Sequence, residues 1–183
     1  MQVNKYIYTC MKLEKLIIIL PIILASLLAN EVNAQVKQNR LRNTLTGADS
    51  CLGIIEDGKN NRLTMTKCAN IAGQRWSMTA TEKNPQAYRL QTPFTGTDKC
   101  LNIINDGENN KVTMAKCSNL PGQLWTVTPS KTIPGNSGYY SVTNALTGAS
   151  NCLNVLNDGR NNQLTMAKCD NISGQSWRIT STR

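Results

Sequence analysis

From Arg40 to the end of the chain, apolar and polar residues alternate in short runs, and each run stops at a cluster of turn residues. In the run Lys111 to Cys117, Val112 and Met114 share one parity, while Thr113 and Ala115 share the other. A period of two marks a half-buried β-strand, because successive side chains on a strand point to opposite faces. Val112 and Met114 are therefore expected in a core, and Thr113 and Ala115 on the face turned away from it. Tyr88 to Thr92, Cys100 to Ile104 and Gln123 to Thr128 read as strands in the same way, being rich in Val, Ile, Leu and Thr. No segment carries a convincing helical period. Between the second and third of these strands lies NDGENN, whose Asp106-Gly107 supports a tight hairpin, since glycine tolerates positive φ.

This block is written three times. CLGIIEDGKNNRLTMTKCANIAGQRW begins at Cys51, CLNIINDGENNKVTMAKCSNLPGQLW at Cys100 and CLNVLNDGRNNQLTMAKCDNISGQSW at Cys152. The likeness extends upstream through TLTGADSC, PFTGTDKC and ALTGASNC to RLRN, YRLQ and YSVT. The copies occupy about residues 38–84, 85–134 and 137–183. Four strands in each of three copies make twelve, too many for a propeller in a chain of this length and too long a period for a solenoid. The prediction is an all-β chain: a threefold pseudosymmetric β-trefoil of three four-stranded repeats, in which a six-stranded barrel is closed by three hairpins. Trp76, Trp125 and Trp177 are each followed two residues later by Met78, Val127 and Ile179, so one strand face per copy supplies a layer of core.

Two further features alter this picture. Lys12 and Lys15 precede an apolar run from Leu16 to Leu28, and Val32 and Ala34 are small residues suited to a cleavage site. Residues 1–34 are read as a secretory signal peptide, because the run is short for a membrane span and is broken by Pro21. The mature domain is then 35–183, secreted to an extracellular or periplasmic space. There disulfides form, and the six cysteines of the repeats admit one arrangement with three equivalent bridges: Cys51 with Cys68, Cys100 with Cys117, Cys152 with Cys169. The mature span carries 17 Lys and Arg against 9 Asp and Glu, a net +8. Such a charge biases the domain toward anionic partners, acidic glycans included, but the basic residues are scattered singly and no nucleic-acid motif is present.

The Cys-Leu opening and the three Gln-x-Trp triplets, Gln74 to Trp76, Gln123 to Trp125 and Gln175 to Trp177, resemble the ricin B-type lectin family. The resemblance covers about Arg40 to Ile179. It implies a β-trefoil that binds carbohydrate, with no cofactor and no catalysis by the domain itself. Galactose-binding members carry Asp two positions after the first cysteine; this chain has Gly53, Asn102 and Asn154. The aromatic residue that stacks on the sugar two positions before the second cysteine is replaced by Thr66, Ala115 and Ala167. Four positions before it, Thr64, Thr113 and Thr165 keep a polar group, and before Gln-x-Trp the frequent Asn becomes Gly73, Gly122 and Gly174. The carbohydrate-binding residues implied are Asn102, Thr113, Asn154 and Thr165, with copy one the weakest and Gly53→Asp a change that could strengthen it.

Enzyme readings fail on inventory. The chain has no histidine, no G-x-S-x-G, no spare mature thiol once the cysteines pair, and no converging carboxylates, so catalytic and metal residues are set at none. The Asp57-Gly58, Asp106-Gly107 and Asp158-Gly159 loops read as hairpin turns, with a sugar-contacting loop or a calcium loop as alternatives. Lys67, Lys116 and Lys168 read as solvated surface, and Tyr139 as the one aromatic without a counterpart in the other copies. The competing reading of the whole is a trefoil that has lost sugar binding and serves as a protein-interaction module, such as a toxin-complex subunit or an inhibitor.

Overall fold

The computed structural model describes residues 37–59, 61–130, 138–160 and 162–182. The proposed signal peptide, 1–34, lies outside the described residues. Among these residues there are twelve strands, four per copy. The first copy supplies β1 (Gln38–Asn43), β2 (Ser50–Ile54), β3 (Leu63–Lys67) and β4 (Trp76–Ala80). The second supplies β5 (Ala87–Gln91), β6 (Lys99–Ile103), β7 (Val112–Lys116) and β8 (Trp125–Pro129). The third supplies β9 (Tyr139–Asn144), β10 (Gly148–Val155), β11 (Leu164–Lys168) and β12 (Trp177–Ser181).

The outer strands of each copy run in the order β9-β12-β1-β4-β5-β8, and β8 pairs back to β9, so six strands close on themselves. Closure leaves the barrel no free edge. The inner strands form the hairpins β2–β3, β6–β7 and β10–β11. Three backbone bonds tie these hairpins into a ring. Met114 N–H donates to the Asn61 carbonyl at 2.9 Å, Met166 N–H to Asn110 at 3.0 Å, and Met65 N–H to Asn162 at 3.1 Å. Each copy thus leans on its neighbour, and a single copy would leave those groups unpaired.

The core follows the alternation. Leu101, Ile103 and Met114 are buried on one face of the second hairpin, and Leu52, Met65, Leu153 and Met166 repeat the pattern. Trp76, Trp125 and Trp177 are fully buried at 0% exposure, with Met78, Val127 and Ile179 packed against the cluster. Each indole N–H donates across its copy to a leucine carbonyl: Leu52 at 2.9 Å, Leu101 at 2.9 Å and Leu153 at 2.8 Å. The large ring therefore enters the core with its one polar group satisfied. The expected disulfides are present: Cys51–Cys68, Cys100–Cys117 and Cys152–Cys169.

The strand boundaries of the second copy fall one residue from the sequence expectation, except the start of β8, which falls two residues later. The alternation puts Gln123 at the start of a strand, but it ends the short 3-10 turn Pro121–Gln123, and β8 starts at Trp125. The reason is the side chain. Its amide donates to the Lys116 carbonyl at 2.8 Å and its oxygen accepts from Ser118 N–H at 2.6 Å, which folds the chain back over Cys117. Gln74 and Gln175 do the same in the other copies, at 0% and 1% exposure.

Candidate functional site

The hairpin register puts Asn102 directly opposite Thr113, and Asn154 directly opposite Thr165. Opposed residues of an antiparallel pair share a face, so each hairpin of copies two and three holds one amide and one hydroxyl together. The two pairs belong to separate hairpins. In copy one the same register opposes Gly53 to Thr64, leaving a hydroxyl with no amide. The threonines also join hairpin to hairpin. Thr113 Oγ1 donates to the Asn61 carbonyl at 2.9 Å, and Thr165 Oγ1 to the Asn110 carbonyl at 3.1 Å. Their protons are committed to the ring of hairpins, but a hydroxyl oxygen still accepts.

The asparagines sit against the 3-10 turns. A Cβ on Gly122 would meet Asn102 Oδ1 at 2.9 Å and the Ile103 carbonyl at 2.7 Å. On Gly174 it would meet Asn154 Oδ1 at 2.5 Å and the Val155 carbonyl at 2.6 Å. Glycine before Gln-x-Trp is thus the counterpart of the asparagine: any larger residue would displace the amide. Asn154 is 7% exposed, and its Oδ1 is buried without a hydrogen-bond partner. A buried, unanswered acceptor carries a desolvation cost, so it is a place where a donor would be welcome. Copy one is built differently. Gly53 is buried, and a Cβ there would press on Gln74 Cγ at 3.0 Å. A side chain there, as in Gly53→Asp, would need Gln74 to give way by a few tenths of an ångström.

The Asp-Gly loops are hairpin turns. Gly58, Gly107 and Gly159 take φ of +79°, +88° and +80°, where a side chain would be strained. Asp57 pairs with Arg62 at 2.7 Å and Asp106 with Lys111 at 3.2 Å, both on the surface. The Asn109 N–H donated to Asp106, followed by the Lys111 ammonium, holds that carboxyl below the ordinary aspartate range. Lys67, Lys116 and Lys168 are exposed, and Tyr139 is half-buried at the start of β9, opposite Arg178.

Two features escaped the sequence reading. A groove of about 580 Å³ opens where the three hairpins meet, walled by Leu63, Val112 and Leu164, with Arg62, Lys111 and Arg160 at its lining. Arg160 does not align with Arg62 and Lys111 in the repeat, so only the ring closure brings the three cations together. The second feature is the buried pair Asn43 and Asn144. Asn43 donates to the Gly174 carbonyl at 2.9 Å and Asn144 to the Gly122 carbonyl at 3.0 Å, each crossing to a neighbouring copy. The signal was visible as N-T-L-T-G and N-A-L-T-G at the head of copies one and three.

The sequence profile of the ricin-type β-trefoil lectin domain matches residues 37–139, more than half of the chain. The chain belongs to that family. No curated protein matches it in sequence. Among solved structures it is similar to a mosquitocidal holotoxin, with TM-score 0.67 and 20% identity over 82% of this chain and 18% of that one. It therefore spans under a fifth of the holotoxin chain. It is similar over full domains to SeviL bound to asialo-GM1 saccharide (TM-score 0.59, 17% identity, 81% of this chain, 100% of that one). It is also similar to a Macrolepiota procera ricin B-like lectin in complex with lactose (TM-score 0.62, 12% identity, 82% of this chain, 99% of that one). At these identities the ricin-type likeness establishes the barrel and its three hairpins.

Proposed function

We propose that residues 35–183 form a secreted carbohydrate-binding module, freed of residues 1–34 on export, with no catalytic or cofactor chemistry of its own. Copies two and three would carry the binding, and copy one would not. The observation that carries this reading is the repeated cross-strand pair, Asn102 with Thr113 and Asn154 with Thr165, at positions that the resemblance to ricin-type lectins implies for sugar contact. The asparagine amide offers donors and an acceptor to a sugar diol, and the threonine oxygen an acceptor. No aromatic ring stands at Ala115 or Ala167, so each site lacks stacking and is expected to be weak. Two weak sites held on one rigid body gain strength on a multivalent surface through effective concentration. Asialo-GM1 saccharide and lactose, carried by the similar structures, are the first ligands to try. The three disulfides support an oxidising destination.

The test is a glycan array with competition by free lactose, run on the parent and on Asn102→Ala with Asn154→Ala. Losing one polar contact costs about 1 kcal/mol, about fivefold per site, and more when avidity multiplies it. The double variant is expected to lose sugar-inhibitable binding. Because Asn154 is buried, its thermal midpoint is recorded alongside. A folded double variant that binds as well as the parent would put the ligand elsewhere.

A further inference from the structure

Copy three has a groove at the place where copies one and two carry arginine. It measures about 310 Å³, at the small end of ligand cavities, and lies beside the Cys152–Cys169 bridge. Ser141 and Thr143 of β9 form its floor, Thr128 of β8 one wall, and Asp170 and Asn171 its far side. The equivalent of Ser141 is Arg40 in copy one and Arg89 in copy two, each one residue before the fully buried Leu41, Leu90 or Val142. The equivalent of Thr143 is Arg42 and then Gln91.

Those long side chains lie along the groove. Arg40 Nη2 donates to the Ala69 carbonyl at 3.4 Å, and Arg89 Nη2 donates to Asn119 Oδ1. The Nε atoms of Arg40 and Arg89 are both buried, so the guanidinium stems are sunk into the surface. Ala69 and Asn119 correspond to Asp170 and Asn171 of copy three. The acceptors that hold an arginine in the first two copies are therefore present in the third, with the arginine cut back to serine. One change adds to them: Ala69 and Ser118 become Asp170, the one charged side chain that lines the groove among the described residues. Its Oδ1 accepts from the Asn171 N–H at 2.8 Å, which turns the carboxylate back over the turn beside the groove.

We propose that this groove binds an arginine side chain of a protein partner, in the place that Arg40 and Arg89 occupy in their own copies. The guanidinium would donate to Asp170 and Asn171, and its stem would lie along the disulfide and Pro129. A planar, always-charged fork suits a carboxylate next to an amide oxygen better than a point cation does. The site is separate from the Asn–Thr pairs and does not rest on sugar binding.

The test is NMR titration of the disulfide-intact domain with a blocked Gly-Arg-Gly peptide and with the same peptide carrying citrulline. The citrulline side chain has nearly the same shape but no charge. Saturable shifts of Ser141, Thr143 and Asn171 amides by the arginine peptide alone are expected. Ser141→Arg should abolish them while the domain stays folded, since two copies already accommodate arginine there. Asp170→Ser, which restores the residue of copy two, should weaken binding about tenfold, as loss of a charged hydrogen bond does. Lactose binding should be unchanged in both variants. Equal binding by the citrulline peptide, full binding by Ser141→Arg, or displacement of the peptide by lactose would each overturn the proposal.

Discussion

A single glycine separates the first copy from the other two. Asn102 and Asn154 have room because Gly122 and Gly174 face them without a side chain; at Gly53 a Cβ would press on Gln74 Cγ at 3.0 Å. Gln74 in turn is held in place, since its amide donates to the Lys67 carbonyl and accepts from the Ala69 N–H around Cys68. Gly53→Asp is therefore expected to destabilise the domain by about 1–3 kcal/mol, the usual cost of overpacking, and to add no sugar binding. Urea unfolding of the variant measures the first, and the glycan array the second. An unchanged midpoint would mean that the Gln74 side chain yields more easily than its hydrogen bonds imply. Serine against arginine at position 141 shows the same principle in reverse, with a small residue opening the space that a large one closes.

At the scale of the element, the hairpin is the unit that the sequence repeats and the unit that needs support. Each holds five residue pairs and ends in a glycine turn. A two-stranded ribbon is marginal alone. The disulfides supply part of what is missing: each joins a hairpin's first strand to the residue just past its second, with Cα atoms 4.9, 5.0 and 4.9 Å apart. Each closes a loop with a sequence separation of 17, for which chain entropy gives about 3 kcal/mol. Reduction is expected to lower the unfolding midpoint, and opening one bridge by paired Cys→Ser should cost about the same in any copy, less the share that the Gln amides retain. Peptide mapping that linked Cys51 to Cys117 would contradict the structure outright.

Charge acts at the scale of the whole molecule. Residues 35–183 carry 17 basic and 9 acidic groups, net +8, spread singly along the chain. Ring closure gathers Arg62, Lys111 and Arg160 about one groove, although two of the three are already paired with Asp57 and Asp106. Retention on a sulfated-polysaccharide column is expected to fall steeply as salt passes about 0.1 M, where screening acts within about 10 Å. Binding to a neutral sugar such as lactose should be nearly flat over the same range. Salt-independent retention would show that the net charge plays no part in recognition.

The threefold repeat, the hairpins, the tryptophan layers and the cysteine pairing were legible in the sequence, because each depends on spacing within one copy and spacing survives in a string. The opposition of Asn102 to Thr113 was legible for the same reason, since hairpin register follows from a turn and a period of two. What lay beyond the string involves residues that do not align or that meet across copies. The commitment of the Thr113 and Thr165 protons to neighbouring hairpins, the reach of Asn43 and Asn144, the basic axial groove and the groove beside Cys152–Cys169 are of this kind. Each arises when three similar segments close into one ring, because closure brings side chains of neighbouring copies into contact that no spacing within one copy records.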